Sequence, residues 1–132
     1  MGEVVSVRTD GRSCFVEITR LAQKRLDEAK ATEGVMIIYT PHTTAGVTIN
    51  ENADPSVVSD MIQGLDRMVP WSDPSYTHAE GNSAAHIKSS LVGCSVSVIF
   101  SGGKLSLGTW QGIFLCEFDG PRTRQVHFKI IG

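Results

Sequence analysis

Val35-Met36-Ile37-Ile38-Tyr39-Thr40 is the stretch on which the fold turns. It is continuously apolar and β-prone, so it reads as a central strand covered on both faces. Upstream, Val4 to Thr9 alternates loosely, and Cys14 to Ile18 continues the pattern after Asp10-Gly11-Arg12, a good hairpin turn. Thr19 can cap a helix reaching about Ala31, with Leu21, Ala22, Leu26 and Ala29 on one side and Lys24, Arg25, Asp27 and Glu28 outward. Gly34 ends that connection.

Downstream, Val47 to Ile49 is a short strand with polar groups on either side. Asp54-Pro55 pairs an N-cap with a proline at the first helical position. The helix that follows carries Val57, Val58, Met61, Ile62 and Leu65 at helical spacing, a core-facing stripe. Pro70 to Tyr76 is a loop rich in turn residues. Asn82 reads as the cap of a helix from Ser83 to about Val92, closed by Gly93. Val96, Val98 and Phe100 then alternate with Ser95, Ser97 and Ile99, a half-buried strand. Ser101-Gly102-Gly103-Lys104 turns the chain into Leu105 and Leu107. Ile113 to Phe118 is a further strand, and Asp119-Gly120-Pro121-Arg122 turns into a last one, Thr123 to Ile131. The sum is an α+β fold, mostly antiparallel, with β-sandwich-like sheets and two or three helices. Long apolar strands in so small a chain leave edges that a dimer or trimer would hide.

At 132 residues the chain should be a single domain over 1–132. Charged residues at 20% and hydrophobic ones at 41% exclude a disordered or membrane-embedded class. A net charge of −2 argues against a nucleic-acid partner. No apolar run is long enough to span a bilayer, and Met1-Gly2-Glu3-Val4 leads into a strand pattern with no signal-peptide character. Cys14, Cys94 and Cys116 lack C-x-x-C spacing and sit among β-forming residues, so they read as buried free thiols of a cytoplasmic protein.

The chemistry gathers in two polar clusters. One is His78-Ala-Glu80-Gly81-Asn82-Ser83-Ala84-Ala85-His86, two imidazoles and a carboxylate around a helix start. The other follows the central strand: His42, Thr43 and Thr44 first, then Asn50, Glu51 and Asn52 after the short strand. His42, His78 and His86 form a candidate three-imidazole metal site, zinc being the best match, with Glu51, Asp54 or Glu80 orienting the imidazoles or serving as general base. Asp54 competes as a helix cap. The same groups can instead hold a phosphate or pyrophosphate: protonated His78 and His86, the N–H groups of the Asn82 helix start, and the Thr43 and Thr44 hydroxyls. Arg122 and Arg124 read as solvated strand-edge charges.

His42-Thr43-Thr44-Ala45, Asn50-Glu51, His78-x-Glu80-Gly81-Asn82-x-x-x-His86 and especially Leu107-Gly108-Thr109-Trp110-Gln111-Gly112 resemble the YjbQ family, over nearly the whole chain. The resemblance implies a compact α+β domain assembling as a homotrimer, with sites near subunit boundaries. It also implies weak synthesis of thiamine phosphate from a pyrimidine pyrophosphate and a thiazole phosphate. On that reading the partner is a small phosphorylated metabolite. His42, Glu51, His78, Glu80 and His86 are the catalytic candidates, and Thr43, Thr44, Asn50, Asn82, Trp110 and Gln111 the substrate-binding ones. Trp110 can stack on an aromatic ring and Gln111 can read its polar edge. Gly108 and Gly112 allow a bulge or close backbone approach. His127 matches no site. The alternative is a non-catalytic trimeric module binding a metal or phosphorylated metabolite.

Overall fold

Residue by residue, the central strand alternates: Met36 and Ile38 are fully buried, while Val35, Ile37 and Tyr39 turn to the other side. The computed structural model describes residues 2–132; Met1, the first residue of the expected domain, lies outside them. In order the elements are β1 (Gly2–Arg8), β2 (Cys14–Glu17), α1 (Thr19–Ala29), β3 (Glu33–Tyr39), β4 (Ala45–Glu51), α2 (Pro55–Met68), α3 (Ser83–Val92), β5 (Ser95–Ser101), β6 (Lys104–Leu105), β7 (Gln111–Glu117) and β8 (Thr123–Ile131). The strands form an α+β architecture of two antiparallel sheets, ordered β1-β8-β3-β5-β6 and β2-β7-β4. No helix among the described residues is long and apolar enough to cross a membrane.

The two sheets face each other across one apolar cluster. Met36, Ile38, Val98, Phe100, Val126 and Phe128 come from the five-stranded sheet, and Val47, Ile113 and Leu115 from the other. Ala22 and Leu26 of α1 close the cluster. The outer face of the three-stranded sheet carries Phe114 and Cys116, packed with Phe118 and Ala85 of α3, so β7 is covered on both faces. Burying this apolar surface is the main force holding the sheets together. Gly46 brings α3 onto β4: a Cβ there would lie 2.7 Å from the Gly93 carbonyl oxygen and 2.9 Å from Val92 Cγ1. Two bonds seal the contact, Val47 N–H to the Gly93 carbonyl at 3.0 Å and Ser89 Oγ to the Ala45 carbonyl at 2.7 Å.

Four expectations are corrected and a fifth is refined. Asp10-Gly11-Arg12 is not a hairpin turn, because β1 pairs with β8 and β2 with β7. It carries the chain from one sheet to the other, held by the Gly120 N–H donating to the Arg12 carbonyl at 3.1 Å. Thr19 does not cap α1, whose cap position is Ile18. Its hydroxyl instead donates to Glu17 Oε2 and accepts the Ile113 N–H, both at 2.8 Å, fastening the helix start to β7. The central strand is covered on one face only within this chain, since its other side adjoins exposed Ile99 and Ile131. The stripe on α2 does turn inward, though only half-buried: Val58 and Leu65 pack against the Phe114–Phe118 cluster, while no residue of the helix is fully buried and Met68 is 68% exposed. Lys88 of α3, itself buried, tethers the helix through Asp66.

The fourth correction is Arg124, which is not a solvated charge. It is 2% exposed and forms an ion pair with Glu117, which is 0% exposed. Arg124 Nε donates to Glu117 Oε1 at 2.8 Å, and Nη2 reaches both Glu117 Oε2 and Thr44. Thr9 Oγ1 lies 2.7 Å from the same carboxylate, and the Asp119 N–H donates to it at 2.9 Å. Burial by itself pushes the Glu117 carboxyl up, but the Arg124, Asp119 and Thr9 hydrogen bonds outweigh it and leave the group below the usual carboxylate range. A depressed carboxyl stabilises the fold fully above its unfolded value, about 4.3, and that contribution is lost as pH falls through the lower folded value. Arg124→Met should cost about 3–5 kcal/mol in urea unfolding, because Glu117 is left buried and uncompensated. Replacing both partners, Glu117→Leu with Arg124→Met, should recover part of that loss. A single replacement within about 1 kcal/mol of wild type would refute the role assigned to the pair.

Candidate functional site

Asn82 stands at the N-cap position of α3, as its residue type predicts, yet its side chain makes no cap bond. Its Nδ2 donates to Asp119 Oδ2 at 2.9 Å, and its Oδ1 is buried with no hydrogen-bond partner. The Asn82 carbonyl accepts the Ala85 and His86 N–H groups at 3.0 and 3.4 Å. The Ser83 and Ala84 N–H groups have no acceptor among the described residues, and the first turn holds no acidic residue. The helix start therefore keeps two N–H groups without an acceptor in the chain, with the Asp119 carboxylate beside the cap.

Two imidazoles stand beside that helix start. Gly81 adopts a left-handed backbone (φ 74) and donates its N–H to the His78 carbonyl at 3.1 Å, folding the loop back over α3. His78 and His86 thus meet edge to face, with ring centroids 5.5 Å apart. Glu80 is beside them, its Oε1 3.8 Å from His78 Nε2, too far for a hydrogen bond. Together with Thr43, Thr44, Asn82, Asp119 and Arg122 they line a pocket of about 300 Å³. His86 also lines a neighbouring cavity of about 480 Å³ with His42, Thr43, Ser89, Ser90 and Cys94.

His42 is engaged differently. Its Nε2 accepts the Gln125 N–H at 2.9 Å, which assigns the ring as the neutral tautomer protonated on Nδ1. Burial, reinforced by the Arg124 cation, pushes its pKa below the ordinary histidine value. Both nitrogens are thus committed, and the lone pair a metal would need is already an acceptor. Among the described residues no three or more His, Cys, Asp or Glu side chains are placed to hold a metal ion. The three-imidazole zinc set of His42, His78 and His86 is corrected accordingly: within this chain the donors do not fit the ion.

The second half of the expected site is not assembled with the first. Asn50 and Glu51 are the last residues of β4, whereas Thr44 precedes its first, which separates the groups by about 20 Å at some 3.3 Å per residue. Glu51 pairs with Gln111 across the ladder. Asn50 Oδ1 accepts the Glu51 N–H at 2.7 Å, and Gln111 Oε1 accepts the Gly108 N–H at 2.8 Å. Trp110 is 63% exposed, so it is not a core residue within this chain. Gly112 does mark a close approach, since a Cβ there would fall 2.7 Å from Asn52 Cβ. Asp54 is a cap: its Oδ1 accepts the Ser56 N–H at 2.9 Å, which pulls its pKa down. Of the cysteines, only Cys116 is fully buried; Cys94 is exposed and Cys14 intermediate, and all are free.

Sequence reading missed Asp119 and Arg122, which enter the pocket because Ala45 pairs with Glu117 and the β7–β8 turn therefore overhangs the start of β4. No local signal announces that placement. Nuclear magnetic resonance of the imidazole nitrogens should show His42 protonated on Nδ1 at neutral pH and titrating below the ordinary value of about 6.5. A lowered imidazole pKa stabilises the fold fully above that value and ceases to do so as pH falls through the folded pKa. A His42 titration above 6.5 would contradict the hydrogen bond.

A family model described as UPF0047 protein YjbQ-like matches residues 3–132. UPF0047 protein YugU of Bacillus subtilis is 51% identical over 132 residues, covering 100% of both chains. UPF0047 protein MJ1081 of Methanocaldococcus jannaschii is 55% identical over 128 residues, 96% of this chain and 91% of that one. The crystal structure of a YjbQ/UPF0047 family protein from Clostridium acetobutylicum superposes with a TM-score of 0.96 at 50% identity, covering 98% of this chain and 99% of the other.

Proposed function

The chain belongs to the YjbQ-like UPF0047 family, and from that premise we propose that it is a small cytoplasmic enzyme that binds the phosphate end of a phosphorylated heterocycle at the start of α3. The observation that carries this reading is the uncapped helix start beside His78 and His86. A phosphate oxygen accepts hydrogen bonds, which the Ser83 N–H at the helix start, the Thr43 hydroxyl and protonated imidazoles supply. The chemistry the family resemblance implies has the same demand. When a thiazole nitrogen attacks the methylene of a pyrimidine pyrophosphate, the C–N bond forms as the C–O bond breaks. The departing pyrophosphate takes the electron pair, and donors placed on it lower the barrier. His78 and His86 then serve as charge stabilisers and general acids.

Assembly as a homotrimer belongs to the same proposal. An α2 helix with no buried residue and an apolar groove along Met61, Leu65, Met68 and Val92 leaves surface for a second copy to cover. A neighbouring subunit can also bring Asn50, Glu51, Trp110 and Gln111 to a pocket that this chain's own copies do not reach. The competing reading is a non-catalytic trimeric module that binds the same metabolite; the exposure of His78 and Glu80 favours it, since an open site excludes water poorly.

Calorimetric titration with inorganic pyrophosphate tests the site. Binding should weaken about tenfold or more in His86→Ala. Wild-type protein that binds no pyrophosphate sinks the phosphate reading. Thiamine phosphate formation that is lost in His86→Ala supports the enzyme, and saturable binding without turnover supports the module. Light scattering should give a trimer at micromolar concentration, and Met61→Asp with Met68→Asp should yield folded monomers; a wild-type monomer refutes the assembly.

A further inference from the structure

The β7–β8 turn sets a guanidinium on the rim of the α3 pocket for which the preceding reading has no task. Arg122 Nε donates to the Asp119 carbonyl at 2.9 Å, and Nη2 donates to Asp119 Oδ2 at 3.2 Å. These bonds engage two of the five N–H donors of a guanidinium, and no acceptor among the described residues takes the others. Half of the side chain stays exposed (50%), while Asp119 is mostly covered (19%).

Asp119 Oδ2 is also the acceptor for Asn82 Nδ2. That bond fixes which end of the amide meets the carboxylate, because a reversed amide would set oxygen against oxygen. Asn82 is 8% exposed, and its Oδ1 is left buried without a partner. A continuous path, α3 cap to Asp119 to Arg122, therefore holds the guanidinium at a set position relative to the free helix N–H groups. The charges on the rim sharpen the point. Glu80 and Asp119 both line the pocket with Arg122, so neutral imidazoles leave no surplus of positive charge there. An anion at this site is held by directed donors rather than by a general positive field.

We propose that Arg122 is the phosphate-recognising cation of this pocket and that Asp119 is the residue that positions it. This rests on the phosphate reading above and adds the group that recognises the anion by shape, since the planar fork of arginine meets two phosphate oxygens at once and a lysine ammonium does not. Asp119 acts through Arg122 and touches no ligand itself.

The test is calorimetric titration of inorganic pyrophosphate, at fixed pH and ionic strength, into wild type, R122Q, R122K and D119A. Circular dichroism and melting confirm that each variant is folded. R122Q should bind about tenfold more weakly or worse, and R122K should recover only part of that loss. D119A gives a test of sign. Removing a carboxylate beside an anion tightens binding if only the field matters, whereas losing the group that positions Arg122 weakens it. Weaker binding supports the proposal, and tighter or unchanged binding overturns the role of Asp119. Should D119A fail to fold, wild-type affinity in R122K overturns the positioned fork. Pyrophosphate binding by wild type with R122Q unchanged overturns this inference and leaves the phosphate reading standing. No binding by wild type removes both.

Discussion

The Glu117–Arg124 ion pair is the interaction on which the rest of the arrangement depends. It joins β7 of one sheet to β8 of the other where the two meet, and its hydrogen bonds reach two of the segments that line the α3 pocket, at Thr44 and at Asp119. Arg124 holds the Thr44 carbonyl and hydroxyl, which sets where β4 begins and so where His42 and Thr43 leave it. Glu117 holds the Asp119 N–H, which sets the turn carrying Arg122. A buried pair of this kind need contribute little net stability, because the cost of removing two charges from water offsets much of their attraction. Its value here is positional. An apolar pair of similar volume would fill the space but would remove the Arg124 bonds to Thr44 and the Glu117 bond to the Asp119 N–H.

The molecule divides its surfaces unequally. One end of β4 has dense polar contacts with α3 and the β7–β8 turn, and the opposite end presents Glu51, Gln111 and an exposed Trp110. Between them, α2 is only half-buried, resting Val58 and Leu65 on the Phe114–Phe118 cluster and held also by its Asp54 cap and the Lys88–Asp66 link. Helices stabilised so little by their own packing take most of their order from whatever covers them.

Much of the fold was legible because the local signals were strong. Ser83 to Val92 and Thr123 to Ile131 have the bounds that Asn82, Gly93 and the Asp119–Arg122 turn announce. What failed were inferences about partners. A turn signal at Asp10–Arg12 says the chain bends, and it cannot say that β1 and β2 bend into different sheets. The α2 stripe does turn inward as its period says, but period does not reveal how far it is buried. Arg124 was within reach: it shares the parity of Val126 and Phe128 along β8, as Glu117 shares that of Ile113 and Leu115 along β7, so alternation alone turns both inward. For the site, the helix start and the His78–His86 pair were readable from nine residues. His42 was not, because its commitment to Gln125 depends on a neighbour 83 positions away.

Gly46 has a consequence for how the pocket would meet a ligand of the kind proposed above. By letting Val92 and Gly93 press onto β4, the missing side chain anchors the far end of α3, and Ser89 fixes it again one turn earlier. The helix is thus clamped at its C-terminal end before any ligand arrives, with its N-terminal amides already aimed. Association with such a surface requires little additional loss of conformational entropy, which for a mobile contact runs to about 0.5–1.5 kcal/mol per side chain immobilised. Discrimination among ligands then rests on how well each fits donors already in position, and encounter proceeds without a preceding rearrangement of the helix.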